Sequence, residues 1–67
     1  MNEPLQKGDR VKLLDMPNDP HPVHNGTEGE CVGVSRTPDE IVYYMQWNGG
    51  RSLSLLDGID SWEKINL

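Results

Sequence analysis

His21 and His24, with Asp19 just before them, are the first residues in this chain whose types invite chemistry. Imidazole and carboxylate groups are ligands for zinc and related cations. A protein-held ion needs three or four such ligands, each fixed by further hydrogen bonds. The segment His-Pro-Val-His supplies two at no standard spacing, so the expectation is a pair of solvated loop histidines and no metal. Cys31 is the one cysteine. A catalytic thiolate needs a neighbouring base and an electropositive setting. Cys31 instead lies between Glu30 and Val32 in an extended stretch and reads as a small core residue. No Ser-His-Asp set, phosphate-cradling glycine loop or paired carboxylates can be traced. Asp57 and Asp60 flank a turn, where such side chains serve backbone hydrogen bonds. These observations predict no enzyme and no cofactor.

What remains is surface for a partner. Tyr44 and Trp47 could form an aromatic groove of the kind that holds proline-rich peptides. Trp47 and Trp62 have a competing role, since a chain this short needs large aromatic side chains for its core. The loop at 15–25, longer than an ordinary connection, could be a recognition surface or a connector stiffened by proline. On the first reading Asp15 and Asp19 would favour basic residues of a partner, with His21 and His24 beside them. Arg10 and Lys12 share one face of a strand and form the only candidate basic patch for nucleic acid.

The elements that must position these residues are short and extended. No window sustains apolar residues at helical spacing. The first strand is expected over 9–15, with Val11 and Leu13 on one face and Arg10 and Lys12 on the other; Leu14 breaks the alternation. Pro17, Pro20 and Pro22 then rule out an interior strand, and Asn25-Gly26 ends the loop with a turn signal. A second strand is expected over 27–35, with Cys31, Val32 and Val34 as its apolar set. Gly29 and Gly33 inside it signal a bend, a bulge or a close approach. The third strand, 40–47, sets Ile41, Tyr43, Met45 and Trp47 on the core face and leaves Tyr44 on the other. Asn48-Gly49-Gly50 predicts a type I′ hairpin leading into a fourth strand at 51–55, with Leu53 and Leu55 inward. A single turn at 57–60, 3₁₀ in character, precedes a last strand at 61–65 that offers Trp62 and Ile65. Five short strands with one long early loop predict an all-β domain over 1–67, a small five-stranded SH3-like barrel with its core at about 7–65.

Composition narrows the setting. The chain has 67 residues and one cysteine, so no internal disulfide can staple it. Domains of this size bury only about 60% of their unfolded surface, and packing must supply the stability. Eleven acidic residues oppose six basic ones, net −5. Non-specific nucleic-acid affinity rests on basic surface, so this charge disfavours a polyanion partner. The first ten residues lack the basic and apolar regions of a signal peptide, and no apolar run approaches membrane-spanning length. The expectation is a cytoplasmic protein away from membranes, a monomer or a weak homo-oligomer through an edge strand.

At this point the pattern resembles a known family. Gly-Asp-Arg-Val at 8–11, Gly-Thr-Glu-Gly at 26–29, Trp47 with the Gly-Arg-Ser-Leu-Ser-Leu run at 50–55, and Gly-Ile-Asp at 58–60 with Trp62 resemble the bacterial domain of unknown function number 4314. The likeness spans about 7–65. Two positions depart from the pattern: Cys31 stands where valine is expected and Asn48 where aspartate is. The resemblance implies an SH3-like barrel, sometimes found with phage or mobile-element genes, and implies no activity. A wider likeness to KOW-type barrels implies a nucleic-acid-associated accessory domain as the alternative to a protein-interaction module, on fold analogy alone.

Overall fold

Alternating side chains and frequent turns make this chain a sheet. The computed structural model describes residues 4–65, so the outermost positions of the domain expected over 1–67 lie outside the described residues. Five strands form: β1 (Arg10–Asp15), β2 (Glu28–Arg36), β3 (Ile41–Trp47), β4 (Leu55–Leu56) and β5 (Ser61–Ile65). All pairings are antiparallel and the sheet order is β4-β3-β2-β1-β5. This is the all-β, SH3-like arrangement expected: a four-strand meander whose last strand returns beside the first. The two edge strands, β4 and β5, are joined by only four residues. That link is folded tightly, with Asp60 N–H donating to Leu56 O at 3.0 Å, while the two edge strands themselves do not pair. Inside the curl, Tyr43 of β3 meets Trp62 of β5 edge to face, with ring centroids 5.4 Å apart. Two strands separate these residues in the sheet, and their contact is the apolar seam of the barrel.

The alternation in β1 and β3 is as expected. Val11, Leu13, Tyr43, Met45 and Trp47 are buried, while Tyr44 and Gln46 are exposed. In β2 the apolar set divides. The register slips between Cys31 and Gly33, which pair with Met45 and Tyr44, and leaves Val32 as the extra residue. A bulge of this kind shifts the phase of alternation. Cys31 and Val34 therefore both reach the core cluster, three positions apart, while Val32 turns out to solvent. A second irregularity, between Leu13 and Asp15, leaves Leu14 exposed on β1.

The expected fourth strand is corrected. Only Leu55 and Leu56 pair with β3, and 51–54 has no ladder. The cause is Trp47: its indole N–H donates to Leu53 O at 2.9 Å and its backbone N–H to Arg51 O at 2.8 Å. Those bonds bend the chain around the indole. The hairpin is also not type I′. In the turn closed by Gly50 N–H on Trp47 O, Asn48 has a negative φ and Gly49 a positive one, the pattern of type II. The turn at 57–60 combines a bond from Ile59 N–H and one from Asp60 N–H onto Leu56 O and is not a 3₁₀ helix.

Among the described residues, three buried core residues come from outside the strands. Leu5 is fully buried, and Met16 and Val23 nearly so. Met16 and Val23 pin the two ends of the proline-rich loop to the barrel, which turns that loop into part of the packed structure.

Candidate partner-binding cleft

The loop 16–27 is held at its base by the barrel's own backbone. Gly26 N–H donates to Leu13 O at 2.6 Å, and Leu13 N–H to Thr27 O at 2.8 Å. Its interior is set by local chemistry. Asp15 Oδ1 accepts from Met16 N–H at 3.0 Å, and Asp19 Oδ1 accepts from His21 N–H at 2.8 Å, an Asx turn around Pro20. From across the barrel, Arg51 Nη2 donates to His21 O at 2.6 Å and Nη1 to Pro22 O at 3.1 Å.

So anchored, the loop stands off the β4–β5 turn and leaves a cleft of about 140 Å³. Met16, Asn18, Asp19 and Pro20 form one wall; Ser54, Leu56 and Asp60 form the other. Asp60 is only 5% exposed. Its Oδ2 accepts from Leu56 N–H at 2.8 Å while its own N–H donates to Leu56 O, which fixes the carboxylate in place. Burial pushes its pKa above the ordinary carboxylate value; the Leu56 hydrogen bond opposes this, and the negative charges of Asp19 and Asp15 add to it. Three carboxylates thus share one end of the molecule. Five of the six basic residues are engaged outside the cleft: Arg10 with Glu30 at 3.8 Å, Lys12 with Glu63 at 3.7 Å, Lys64 with Asp9 at 3.2 Å, and Arg36 and Arg51 with backbone carbonyls. The cleft is apolar along Met16, Pro20 and Leu56 and acidic at its floor and rim.

The expected site residues are therefore divided. Asp19 lines the cleft, and Asp15 lies near enough to act on Asp60. His21 and His24 are exposed on the far side of the loop, along a broad open depression shared with Arg51. Among the described residues, no group of three or more His, Cys, Asp or Glu side chains is placed to hold a metal ion. Tyr44 is exposed on the outer face of β3, opposite Gly33, and lines neither hollow. Trp47 corrects the aromatic-groove expectation. It is 2% exposed, with its one polar atom bonded to Leu53, and offers no rim to a partner. Arg10 and Lys12 lie together on the outer face as expected, each facing a glutamate of a neighbouring strand. Cys31 is buried, its thiol donating to Gly33 O at 3.3 Å, and burial raises its pKa, so the reactive thiolate is disfavoured.

Sequence reasoning missed Asp60, Ser54 and Leu56 as surroundings of the loop. Their signal was the Asp at the end of a turn, which reads equally well as a simple cap. Among the described residues, no helix is long and apolar enough to cross a membrane.

Comparison with curated proteins and with solved structures returns no match. A family profile does match, over residues 1–65 of the 67, and it covers every strand, the anchored loop and the cleft. The chain belongs to the family described as Domain of unknown function (DUF4314).

Proposed function

We propose that the protein is a non-enzymatic interaction module that docks a short, basic segment of a partner protein in the cleft between the proline-rich loop and the β4–β5 turn. One observation carries this reading: the cleft pairs an apolar lining of Met16, Pro20 and Leu56 with two carboxylates, Asp19 on its rim and the nearly buried, hydrogen-bonded Asp60, and no lining residue is basic. A lysine or arginine at the mouth of such a cleft gains charge-assisted hydrogen bonds, and an adjacent apolar side chain covers Leu56 and Met16. Preorganisation favours the same conclusion, because a loop already fixed by its anchors loses little entropy on binding. A cytoplasmic setting is part of this proposal.

Selection from a displayed peptide library tests it. Peptides retained by the protein should share a lysine or arginine beside an apolar residue, and an Asp19→Asn, Asp60→Asn double variant should lose them. Selected peptides that bind the double variant equally well would overturn the reading.

The alternative, nucleic-acid contact through Arg10 and Lys12, has weaker support. Each cation already faces a glutamate, and the net charge of −5 opposes a polyanion. Salt-sensitive retention on single-stranded DNA, lost on charge reversal of Arg10 and Lys12, would revive it.

A further inference from the structure

We infer that Arg51 locks the His21–Pro22 peptide bond in trans and thereby gives the proline-rich loop a single shape. The guanidinium grips two successive carbonyls, His21 O at 2.6 Å and Pro22 O at 3.1 Å, from about thirty positions further along the chain. The first of these oxygens belongs to the His21–Pro22 bond itself. Among the described residues every peptide bond is trans.

The intrinsic preference at such a bond is small. In unfolded chains about 10–30% of X–Pro bonds are cis, so the surrounding structure decides the isomer. Turning this bond to cis would draw the flanking Cα atoms from about 3.8 Å to about 2.9 Å apart and re-aim the His21 carbonyl. Neither flank is free to follow. His21 N–H is held by Asp19 Oδ1 at 2.8 Å, and Val23, the residue after Pro22, is 5% exposed in the core. The grip on both carbonyls therefore fits one isomer.

Arg51 is itself held to a rigid base. Its carbonyl accepts from Trp47 N–H at 2.8 Å, directly behind the turn in which Gly49 and Gly50 have φ of 97° and 91°. A line of contacts thus runs from a core tryptophan, through a glycine turn, to the loop. The lock is a property of the free protein and does not depend on the partner proposed above. It bears on that proposal because Pro20 lines both the cleft and the depression beside Arg51.

The test is NMR of the free, isotope-labelled protein, in which the proline Cβ and Cγ shifts report the isomer. Exchange takes tens to hundreds of seconds, so two isomers give two sets of signals. The wild type should show one trans set for residues 18–25. Arg51→Met should show a second, minor set with Pro22 cis, confined to that loop and below the roughly 10–30% of unfolded chains, because the Asp19 bond and buried Val23 still favour trans. Adding Pro22→Ala should abolish the doubling. A single trans set in a folded Arg51→Met protein, or doubling already present in the wild type, would overturn the inference. If Arg51→Met does not fold, Arg51→Ser, whose side chain is too short to reach either carbonyl, decides: a detectable cis set supports the lock, and a single trans set contradicts it. Failure to find a basic peptide ligand would leave this result untouched.

Discussion

Gly29 lies directly beneath the indole of Trp47: a Cβ added at Gly29 would stand 2.6 Å from Trp47 Cε3 and 3.0 Å from Cδ2. The two residues are register partners across β2 and β3, so neither can yield without opening the ladder. Gly29→Ala should therefore destabilise the fold by about 1–3 kcal/mol, the usual cost of overpacking a core. Gly33→Ala is the matched control. A Cβ there would meet Tyr44 at an ordinary 3.5 Å, and the loss of glycine's backbone freedom should make it neutral or mildly stabilising. Denaturant unfolding of the two variants checks both signs.

Trp47 is a core residue that also holds the segment after its turn. Trp47→Phe removes the donor to Leu53 O and leaves that carbonyl in search of a partner. A loss of about 0.5–1.5 kcal/mol for the hydrogen bond is expected, with a further contribution from the space left by the smaller ring. Backbone amide signals of 51–54 should shift more between the wild type and this variant than those of β1. Equal shifts in both regions would show that the indole does not hold that segment.

Asp60 gives the cleft a pH signature. Its folded pKa is raised above the ordinary value of 3.8, mainly by burial. The folded protein then binds more protons than the unfolded chain between the two pKa values. This group's stabilising contribution is full below the unfolded pKa and is lost as pH rises through the folded pKa. Asp9 acts in the opposite sense: its pKa is lowered, chiefly by the hydrogen bond from Gln6 N–H, so its contribution is lost as pH falls. Asp60→Asn keeps an acceptor for Leu56 N–H and removes the proton. Thermal unfolding of this variant, followed as pH rises from the ordinary carboxylate value of 3.8, should lose the downward slope that Asp60 imposes. An unchanged profile would show that Asp60 does not titrate in this range.

Tyr44 is 48% exposed on the outer face and lies outside the cleft. Tyr44→Ala should shift stability by no more than about 0.5 kcal/mol, as for other surface changes away from special features. It should also leave basic-peptide affinity unchanged. Loss of affinity in this variant would move the docking surface to the sheet's outer face, where Val32 is also exposed.

The readable parts of this fold were those in which neighbouring side chains face different environments. Strict alternation in 41–47 identified Tyr43, Met45 and Trp47 as core and Tyr44 as surface, and the structure agrees. Gly29 and Gly33 signalled a close approach or a bulge in β2, but not which residue turns out, because Cys31, Val32 and Val34 are all apolar and only the register decides. The fourth strand failed for a different reason. Residues 51–55 alternate well, but bonds from Trp47, four to six residues back across the turn, outweigh that pattern. Leu5, Met16 and Val23 carry no periodic signal and become core only when the barrel exists to receive them. The candidate site was half visible for the same reason. Asp15 and Asp19 stood out in the loop, while Leu56 and Asp60 join them only through the tertiary placement of the β4–β5 turn beside that loop.

The most direct test of the docking proposal is a ¹H–¹⁵N titration of the protein with a short peptide that places arginine beside leucine, run beside the same peptide with glutamate in place of arginine. Saturable shifts at Met16, Asn18, Asp19, Ser54, Leu56 and Asp60, weakened at least tenfold by Asp19→Asn with Asp60→Asn and absent with the glutamate peptide, are the predicted result. Shifts spread over the acidic surface without saturation, or centred on Tyr44 and Val32, would contradict it.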